Sequence, residues 1–325
     1  LTLLAAVGMA VFTDRRQRET LERERAFTRA AAHELKTPLA VLRTHAEALR
    51  EDIAPARRGE YLDVVLDESD RMAALVGSLL ELSHMEEGLR TALAEQVRSE
   101  RMKVELITNV SHDLKTPLTS ISGIAEIMQS GMVKPEDIQS FAGDIYQEAQ
   151  RLIALVEDII RLSRLDEGAE SLEREPVNLL SVAQDVARRL DSAAQKAGVT
   201  LKVMGLSVEV RGIPSVLDEM VYNLCDNAIK YNHPGGTVNV TVAPADDGSA
   251  EVTVEDTGIG IPVEDQSRVF ERFYRVDKSH SKEIGGTGLG LSIVKHGASL
   301  HGAQIHMDSQ VGRGTSVQLL FPHHE

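Results

Sequence analysis

Tryptophan is missing from this sequence, cysteine occurs once, and all aromatic residues together make up 3% of it. Cores without large rings must be filled by Leu, Val, Ile, Ala and Met, a set that suits helix bundles better than large sandwiches. The single cysteine, Cys225, excludes an internal disulfide and a cysteine-rich metal site, as expected in a reducing compartment. Positive charge is in the minority: 35 Lys and Arg face 50 Asp and Glu, a formal net charge of −15. Such a balance repels phosphate backbones, so no nucleic acid is expected as a partner. Long apolar runs are scarce too. The stretch Leu1–Phe12 (LTLLAAVGMAVF) has 12 residues, whereas a membrane-crossing helix takes about 20. Because Arg15, Arg16 and Arg18 follow it, residues 1–13 read as the inner end of a truncated transmembrane helix with positive residues on the cytoplasmic side. Residues 14–27 then form a juxtamembrane helix. The expected location is the cell membrane, with the catalytic part in the cytoplasm.

What the sequence does contain is a repeat. HELKTPLA begins at His33 and HDLKTPLT at His112, 79 residues later, and ESDRMAALVGSLLELSHMEEG further on parallels EAQRLIALVEDIIRLSRLDEG. Each unit reads as a helix, a polar turn and a second helix whose apolar residues fall on one stripe, such as Leu152, Leu155, Val156, Ile159 and Leu162. Two helices cannot enclose their own stripe. Each hairpin therefore needs another, most simply in a homodimer that makes a four-helix bundle. The hairpins occupy residues 28–88 and 103–168, and the charged, proline-free connector 89–102 is predicted helical.

From Pro176 the pattern changes. We read a helix over Leu179–Ala197, strand segments near Thr200–Met204 and Ser207–Val210, and a helix over Pro214–Tyr231. Then come the alternating strands TVNVTV and EVTVED, a long irregular stretch from Gly258 to Gly288, a helix opening at Gly288, and two final strands. This predicts an α/β sandwich over 176–323, with the irregular stretch as a functional lid. The fold class is thus multidomain α and α+β: tandem helical hairpins, then a sheet against helices.

Four motifs in the second half suggest nucleotide chemistry. Asn223 and Asn227 lie four apart, so their amides share one helical face and could ligate a hard cation. Lys230 and Tyr231 follow on the next turn, one able to offset phosphate charge and the other to offer a ring to a base. In VEDTGIGI, Asp256 ends a strand just before Gly258 and Gly260, and a fixed carboxylate there can accept the exocyclic amine of adenine. VFERFYR supplies Phe270 and Phe273 as apolar anchors, with Arg272 and Arg275 able to meet a terminal phosphate. GGTGLGLSIVKH sets Gly286, Gly288 and Gly290 where a helix begins, so backbone N–H groups can face phosphates.

In that order and spacing these motifs resemble the N, G1, F and G2 boxes of the ATP-binding domain of sensor histidine kinases, a Bergerat-type fold, over about Pro176–Pro322. The resemblance implies ATP and Mg²⁺. Asn227 would hold the metal with Asn223 in support; Lys230, Tyr231 and Arg275 would contact nucleotide, Asp256 with Gly258 and Gly260 the adenine, and Gly286, Thr287, Gly288, Leu289 and Gly290 the phosphates.

The repeated octapeptide then gains a meaning. With Val110, Leu114 and Leu118 on the buried stripe, His112 stands about 200° from its neighbours Val110 and Leu114 and should face water. Imidazole titrates near neutrality, so a neutral ring is available as a nucleophile at cytosolic pH. Pro117 removes the N–H that would bond to the carbonyl of residue 113 and should kink the helix one turn on. The stretch resembles the phosphoacceptor box of histidine kinases. His112 would accept phosphate, Asp113 would assist the forward reaction, and Thr116 would position water for dephosphorylating a partner, a response regulator receiver domain. The first copy keeps His33, Glu34, Thr37 and Pro38; His33 is a second candidate acceptor, distant in sequence from the ATP module. Two rivals stand beside this reading: a plain ATPase of the same superfamily with Glu219 as base, and a scaffold in which the hairpins only dimerise and relay signals.

Overall fold

The structure is a computed structural model that describes residues 34–87, 96–167, 173–245, 249–276 and 286–322. Side chains are described over the same residues apart from 79–87, 96–110 and 162–167. The chain divides into two compact units, Leu1–Glu167 and Gly168–Glu325.

The first unit is helical. Helix α1 runs over residues 34–50, a short 3₁₀ turn over Pro55–Arg57, α2 over Arg58–Glu87, α3 over Gln96–Gln129 and α4 over Ile138–Glu167. Helix α3 begins inside the expected connector and continues without a break through Pro117. Its start at Gln96 makes that connector helical at least over its second half. The two turns follow the expected polar segments, with Asp52 and Ala54 in the left-handed region and a glycine, Gly131 (φ 73°), at the corresponding bend of the second hairpin.

The sequence predicts hairpins that pair with copies of themselves in a second chain. In the structure the two hairpins of one chain pack on each other, α2 lying against α3. Arg50, at the end of α1, stacks its guanidinium over the Tyr146 ring of α4, 4.1 Å from the centroid, and Gln129 of α3 donates to Asp63 of α2. Leu39, Leu42, Leu49, Met72, Leu114, Ile121, Ile145 and Leu152 are all fully buried between the four helices.

The second unit holds β1 (Glu175–Asn178), α5 (Leu179–Ala197), β2 (Thr200–Gly205), β3 (Glu209–Gly212), α6 (Pro214–Lys230), β4 (Thr237–Pro244), β5 (Ala250–Asp256), the single turn α7 (Val263–Gln266), α8 (Gly290–His301), β6 (Gln304–Gln310) and β7 (Gly314–Phe321). Five strands form one sheet in the order β2-β4-β5-β7-β6, with β2 parallel to β4 and all other pairs antiparallel. β1 and β3 make a separate antiparallel pair. Strand β1 is the element the sequence reading lacked: Pro176 reads as a breaker, but an edge strand tolerates proline because one side of it needs no ladder donor.

Helix α5 has the boundaries its sequence predicts. The Asn178 side chain accepts from Ser181 N–H at 3.1 Å, capping the N-terminus. Gly198 closes the other end with φ 69°. Leu179, Ala183, Val186, Leu190 and Ala194 form its buried face. The helices α5, α6 and α8 pack side by side, and the α6–α8 approach is close because residue 297 is glycine. A Cβ there would stand 2.6 Å from Met220 Sδ and 3.0 Å from Val216 Cγ1. Gly297→Val should therefore overpack the layer and lower unfolding stability by about 1–3 kcal/mol in urea denaturation.

His301, fully inside this layer, uses both ring nitrogens: Nδ1–H donates to the Gly297 carbonyl at 2.8 Å, and Nε2 accepts from Ile213 N–H at 2.9 Å. It holds α8 to the start of α6 and is a structural histidine. Cys225 is buried on α6, and desolvation, with Asp226 alongside, pushes its thiol up to about 12.

Candidate functional site

The phosphoacceptor candidate sits on α3 as its periodicity requires. Leu114 and Leu118 are buried at 0% and 2%, and Ser111 at 0%, so the intervening face turns outward. The His112 side chain is 81% exposed, and its Nδ1 lies 3.4 Å from Asp113 Oδ1. A donor hydrogen on Nδ1 leaves the Nε2 lone pair free and pointing to water. Thr116, one turn on, is exposed, and its hydroxyl donates to the His112 carbonyl at 3.2 Å. The side chain of Val110 is not among the described ones, and His33 lies outside the described residues, as does Leu1–Phe12.

The nucleotide candidates come from segments far apart in sequence and meet around the C-terminal half of α6. Pro214 occupies the first turn of that helix, where a missing N–H costs nothing, and Val216, Leu217, Met220, Val221, Leu224 and Cys225 bury one side of it. Asn223 and Asn227 remain on the half-exposed side. Asn223 Nδ2 donates to the Glu219 carbonyl at 2.8 Å, so its amide oxygen is the atom left for another partner. A Cβ at Gly290 would sit 2.8 Å from that oxygen and 3.5 Å from Asn227 Nδ2. The start of α8 thus stands directly against both asparagines. Tyr231 ends α6, and its hydroxyl lies beside Gly286, where a Cβ would be 2.8 Å away. The main chain of Tyr231 accepts from Ile259 N–H at 3.0 Å, and a Cβ at Gly258 would come within 2.3 Å of the same carbonyl. Gly258 is therefore required by the close passage of two backbones.

Asp256 closes β5. Its Oδ1 accepts from Gly258 N–H at 2.8 Å and from Thr315 N–H at 3.2 Å, which fixes the plane of the carboxylate and leaves Oδ2 for a donor from outside. Burial pushes this carboxyl above the ordinary range, and the two backbone hydrogen bonds pull in the other direction. The loop after it is tied to β6: Ile261 N–H donates to Ser309 Oγ at 2.8 Å, and Gln266 Nε2 donates to the Ser309 carbonyl at 2.8 Å. Gly260 turns with φ 70° where a Cβ would meet the Gln310 carbonyl.

The VFERFYR segment joins the glycine-rich one. Phe273 N–H donates to the Gly288 carbonyl at 2.9 Å, and Phe273 itself takes φ 62°. Gly288 has φ 72°, so the helix cannot open there as expected and begins at Gly290 instead. Leu289 is fully buried under the turn, and Thr287 Oγ1 accepts from Leu289 N–H at 3.3 Å. Val269, not the two phenylalanines, is the most buried side chain of this segment, Phe270 and Phe273 being half-buried. Arg272 and Arg275 are half-buried as well. Lys230 is exposed, and its ammonium pairs with Asp226 at 2.6 Å.

The structure thus brings Asn223, Asn227, Tyr231, Asp256, Gly258, Gly286, Gly288 and Gly290 into one region. Sequence reasoning missed Thr315, Ser309 and Gln266, which hold the Asp256 loop through contacts spanning more than forty residues. Only a hydroxyl or amide near a strand end hinted at them. Among the described residues no cluster of three or more His, Cys, Asp and Glu could hold a metal. A hard cation here would have to be held by amide oxygens together with phosphate oxygens, the pattern Mg²⁺ prefers, and the free Asn223 oxygen beside the α8 terminus fits it.

Comparison with known proteins identifies two families in the chain. The family described as "Histidine kinase-, DNA gyrase B-, and HSP90-like ATPase" matches residues 212–325. The "His Kinase A (phospho-acceptor) domain" matches twice, at 23–88 and 102–168. The sensor-like histidine kinase SenX3 of Mycolicibacterium smegmatis is 37% identical over 231 residues, 70% of this chain and 60% of that protein. The sensor histidine kinase WalK of Bacillus subtilis is 30% identical over 286 residues, 85% of this chain and 46% of that protein. The chain thus spans less than two thirds of these relatives. The solved structure of the Acinetobacter baumannii histidine kinase AdeS shares the fold, with a TM-score of 0.52 at 23% identity over 65% of this chain and 96% of that one. With both family models matched in the order the motifs require, the chain belongs to the sensor histidine kinases of two-component systems.

Proposed function

We propose that the chain transfers the γ-phosphoryl group of ATP to His112 and passes it on to an aspartate of a response regulator receiver domain. The observation that carries this is a water-facing imidazole whose Nδ1 is held by a neighbouring carboxylate at 3.4 Å, in the same chain as a converged Asn–Asp–Gly nucleotide region. In the transfer, His112 Nε2 forms a bond to phosphorus as the bond from phosphorus to the β,γ-bridging oxygen breaks, and ADP leaves. Asp113 keeps the ring in the reactive tautomer and stabilises the charge that develops on it. Phosphoryl transfer of this kind rests on positioning and electrostatics more than on covalent chemistry.

Asp256 orients the base through its amine, and Gly286 to Gly290 with the N-terminal amides of α8 face the phosphates. Asn227 and Asn223 would hold Mg²⁺, which would offset negative charge on the phosphate oxygens. Tyr231 and Arg275 complete the nucleotide contacts, while Lys230, paired with Asp226, stands at the rim. Thr116, with its hydroxyl one turn above the ring, orients water for removing phosphate from the regulator.

The run Leu1–Phe12 with Arg15, Arg16 and Arg18 supports attachment to a membrane and a cytoplasmic catalytic part. Among the described residues no helix is long and apolar enough to cross a membrane. A homodimer, which the family likeness implies, belongs to the same proposal. His33 is kept as a second acceptor in it.

The test is to incubate the chain with γ-labelled ATP and then with an isolated receiver domain. Acid-labile, alkali-stable label on the chain, chased onto the receiver, is the expected result. Release of free phosphate with no labelled protein would favour the plain ATPase with Glu219 as base. Binding carries its own pH signature. Because burial favours the protonated form of Asp256, lowering the pH through a range above that of ordinary carboxylates removes the acceptor of the adenine amine. ATP affinity should fall there, and in Asp256→Asn it should be weak throughout and nearly flat with pH, as read by calorimetry. Stability runs in the opposite direction: the cost of a buried charge is absent below the unfolded-state pKa and is felt in full above the raised folded one.

A further inference from the structure

The repeat can be followed into the core position by position. In the first helices, buried Leu35, Leu39, Leu42, Ala46 and Leu49 correspond at a shift of 79 to buried Leu114, Leu118, Ile121, Ala125 and Met128. In the second helices, buried Leu62, Val65, Ser69, Met72 and Val76 correspond at a shift of 80 to buried Ala142, Ile145, Ala149, Leu152 and Val156. Within these runs the buried positions of the two hairpins coincide except at Leu155, whose counterpart Leu75 is half-buried. The polar contacts between hairpins repeat as well: Arg50 reaches Tyr146 of α4, and Gln129, at the equivalent position, reaches Asp63 of α2, within one turn of the equivalent site. One hairpin therefore stands to the other as a protomer stands to its copy across a two-fold axis.

We infer that the first hairpin is the built-in bundle partner of the second, so that the phosphoacceptor bundle closes within one chain and requires no hairpin from a second copy. Three observations support this. Where side chains are described, the apolar stripes are already covered in the single chain: of the described side chains of the four helices and their turns, only Ile53, Ile127 and Met132 are exposed large hydrophobic residues, and these three form no stripe for another hairpin. The helices follow one another up, down, up and down, an order that short connections serve. Only the segment 88–95 separates α2 from α3, and a short tether gives its two ends an effective concentration on the order of millimolar. A hairpin from a free second chain competes against that. The bundle then carries one ATP-binding unit for two hairpins. Any homodimer is made by other parts of the protein.

The test uses the full chain with Asp63→Cys and Gln129→Cys together, two exposed positions in contact across the hairpins. The native Cys225 is buried and resists reaction. A short bismaleimide is added and the product resolved on a denaturing gel, with each single variant as control. Closure within the chain predicts a cross-linked species of unchanged mass, 35.5 kDa, mapped to the 63–129 peptide pair and formed in equal yield over a hundred-fold dilution. A species of doubled mass would show hairpins exchanged between chains and overturn the inference. Absence of any 63–129 link would show hairpins paired with their own copies and overturn it too. Label from γ-labelled ATP on the same sample reports the kinase reading separately, because neither position touches His112 or the nucleotide region.

Discussion

His112→Gln loses the acid-labile phosphoryl label to background, a fall of at least about 100-fold, while its denaturation midpoint stays where it was. The physical ground is the contrast between chemistry and packing at this position. Glutamine has no ring nitrogen to attack phosphorus, so the covalent step has no acceptor. The replaced side chain is 81% exposed, with Nδ1 beside Asp113, and surface substitutions of that kind shift stability by no more than about 0.5 kcal/mol. A large loss of label with unchanged stability therefore separates a reacting group from a structural one. The same substitution at His33 tests the second acceptor. If label persists in His33→Gln and vanishes in His112→Gln, the first hairpin is a partner in packing and not in chemistry.

Asn227→Ala brings a comparable loss by a different route. Its amide lies on the face of α6 opposite the start of α8, next to Asn223 and Gly290. Removing a group that stabilises charge on a transferring phosphoryl costs roughly 10²- to 10³-fold in rate. The label should fall by that factor even at saturating ATP, and raising Mg²⁺ should recover only part of it. Asn227 is half-exposed, so the urea midpoint should move little. Calorimetry of nucleotide binding with and without Mg²⁺ checks the assignment: the wild-type chain should show a strong metal dependence that Asn227→Ala lacks.

Much of this arrangement was legible because it is written in period and in local chemistry. The stripe of Leu114 and Leu118 places His112 in water, and Asn178 and Gly198 mark both ends of α5. Other parts depend on partners distant in the chain. Strand β1 contains a proline and forms only because β3 is there to pair with it. The opening of α8 is displaced from Gly288 to Gly290 because Gly288 bends in the left-handed region to receive the Phe273 N–H. Thr315 reaches Asp256 across 59 residues, and His301 looks in sequence like any histidine near a helix end. The pairing of the hairpins was invisible for a deeper reason. An apolar stripe specifies that it must be covered, but it carries no mark of whether the cover comes from the same chain or another one.

The motifs also differ in how far each could be trusted alone. GTGLG by itself is a common glycine-rich turn, and two asparagines on a helix are ordinarily solvated. Their meeting in space is what makes them informative: Gly290 lies against Asn223, Gly286 against the Tyr231 hydroxyl, and Gly258 against the Tyr231 carbonyl. Each glycine stands where a Cβ would collide, so the residue type and the geometry explain one another.

The most direct measurement is ³¹P NMR of the full chain after a single turnover with Mg·ATP, followed by peptide mapping of the same sample. A phosphoramidate resonance assigned to Nε2 of His112, appearing as ADP forms, is the expected result. ADP formation with the His112 ring unmodified would contradict it.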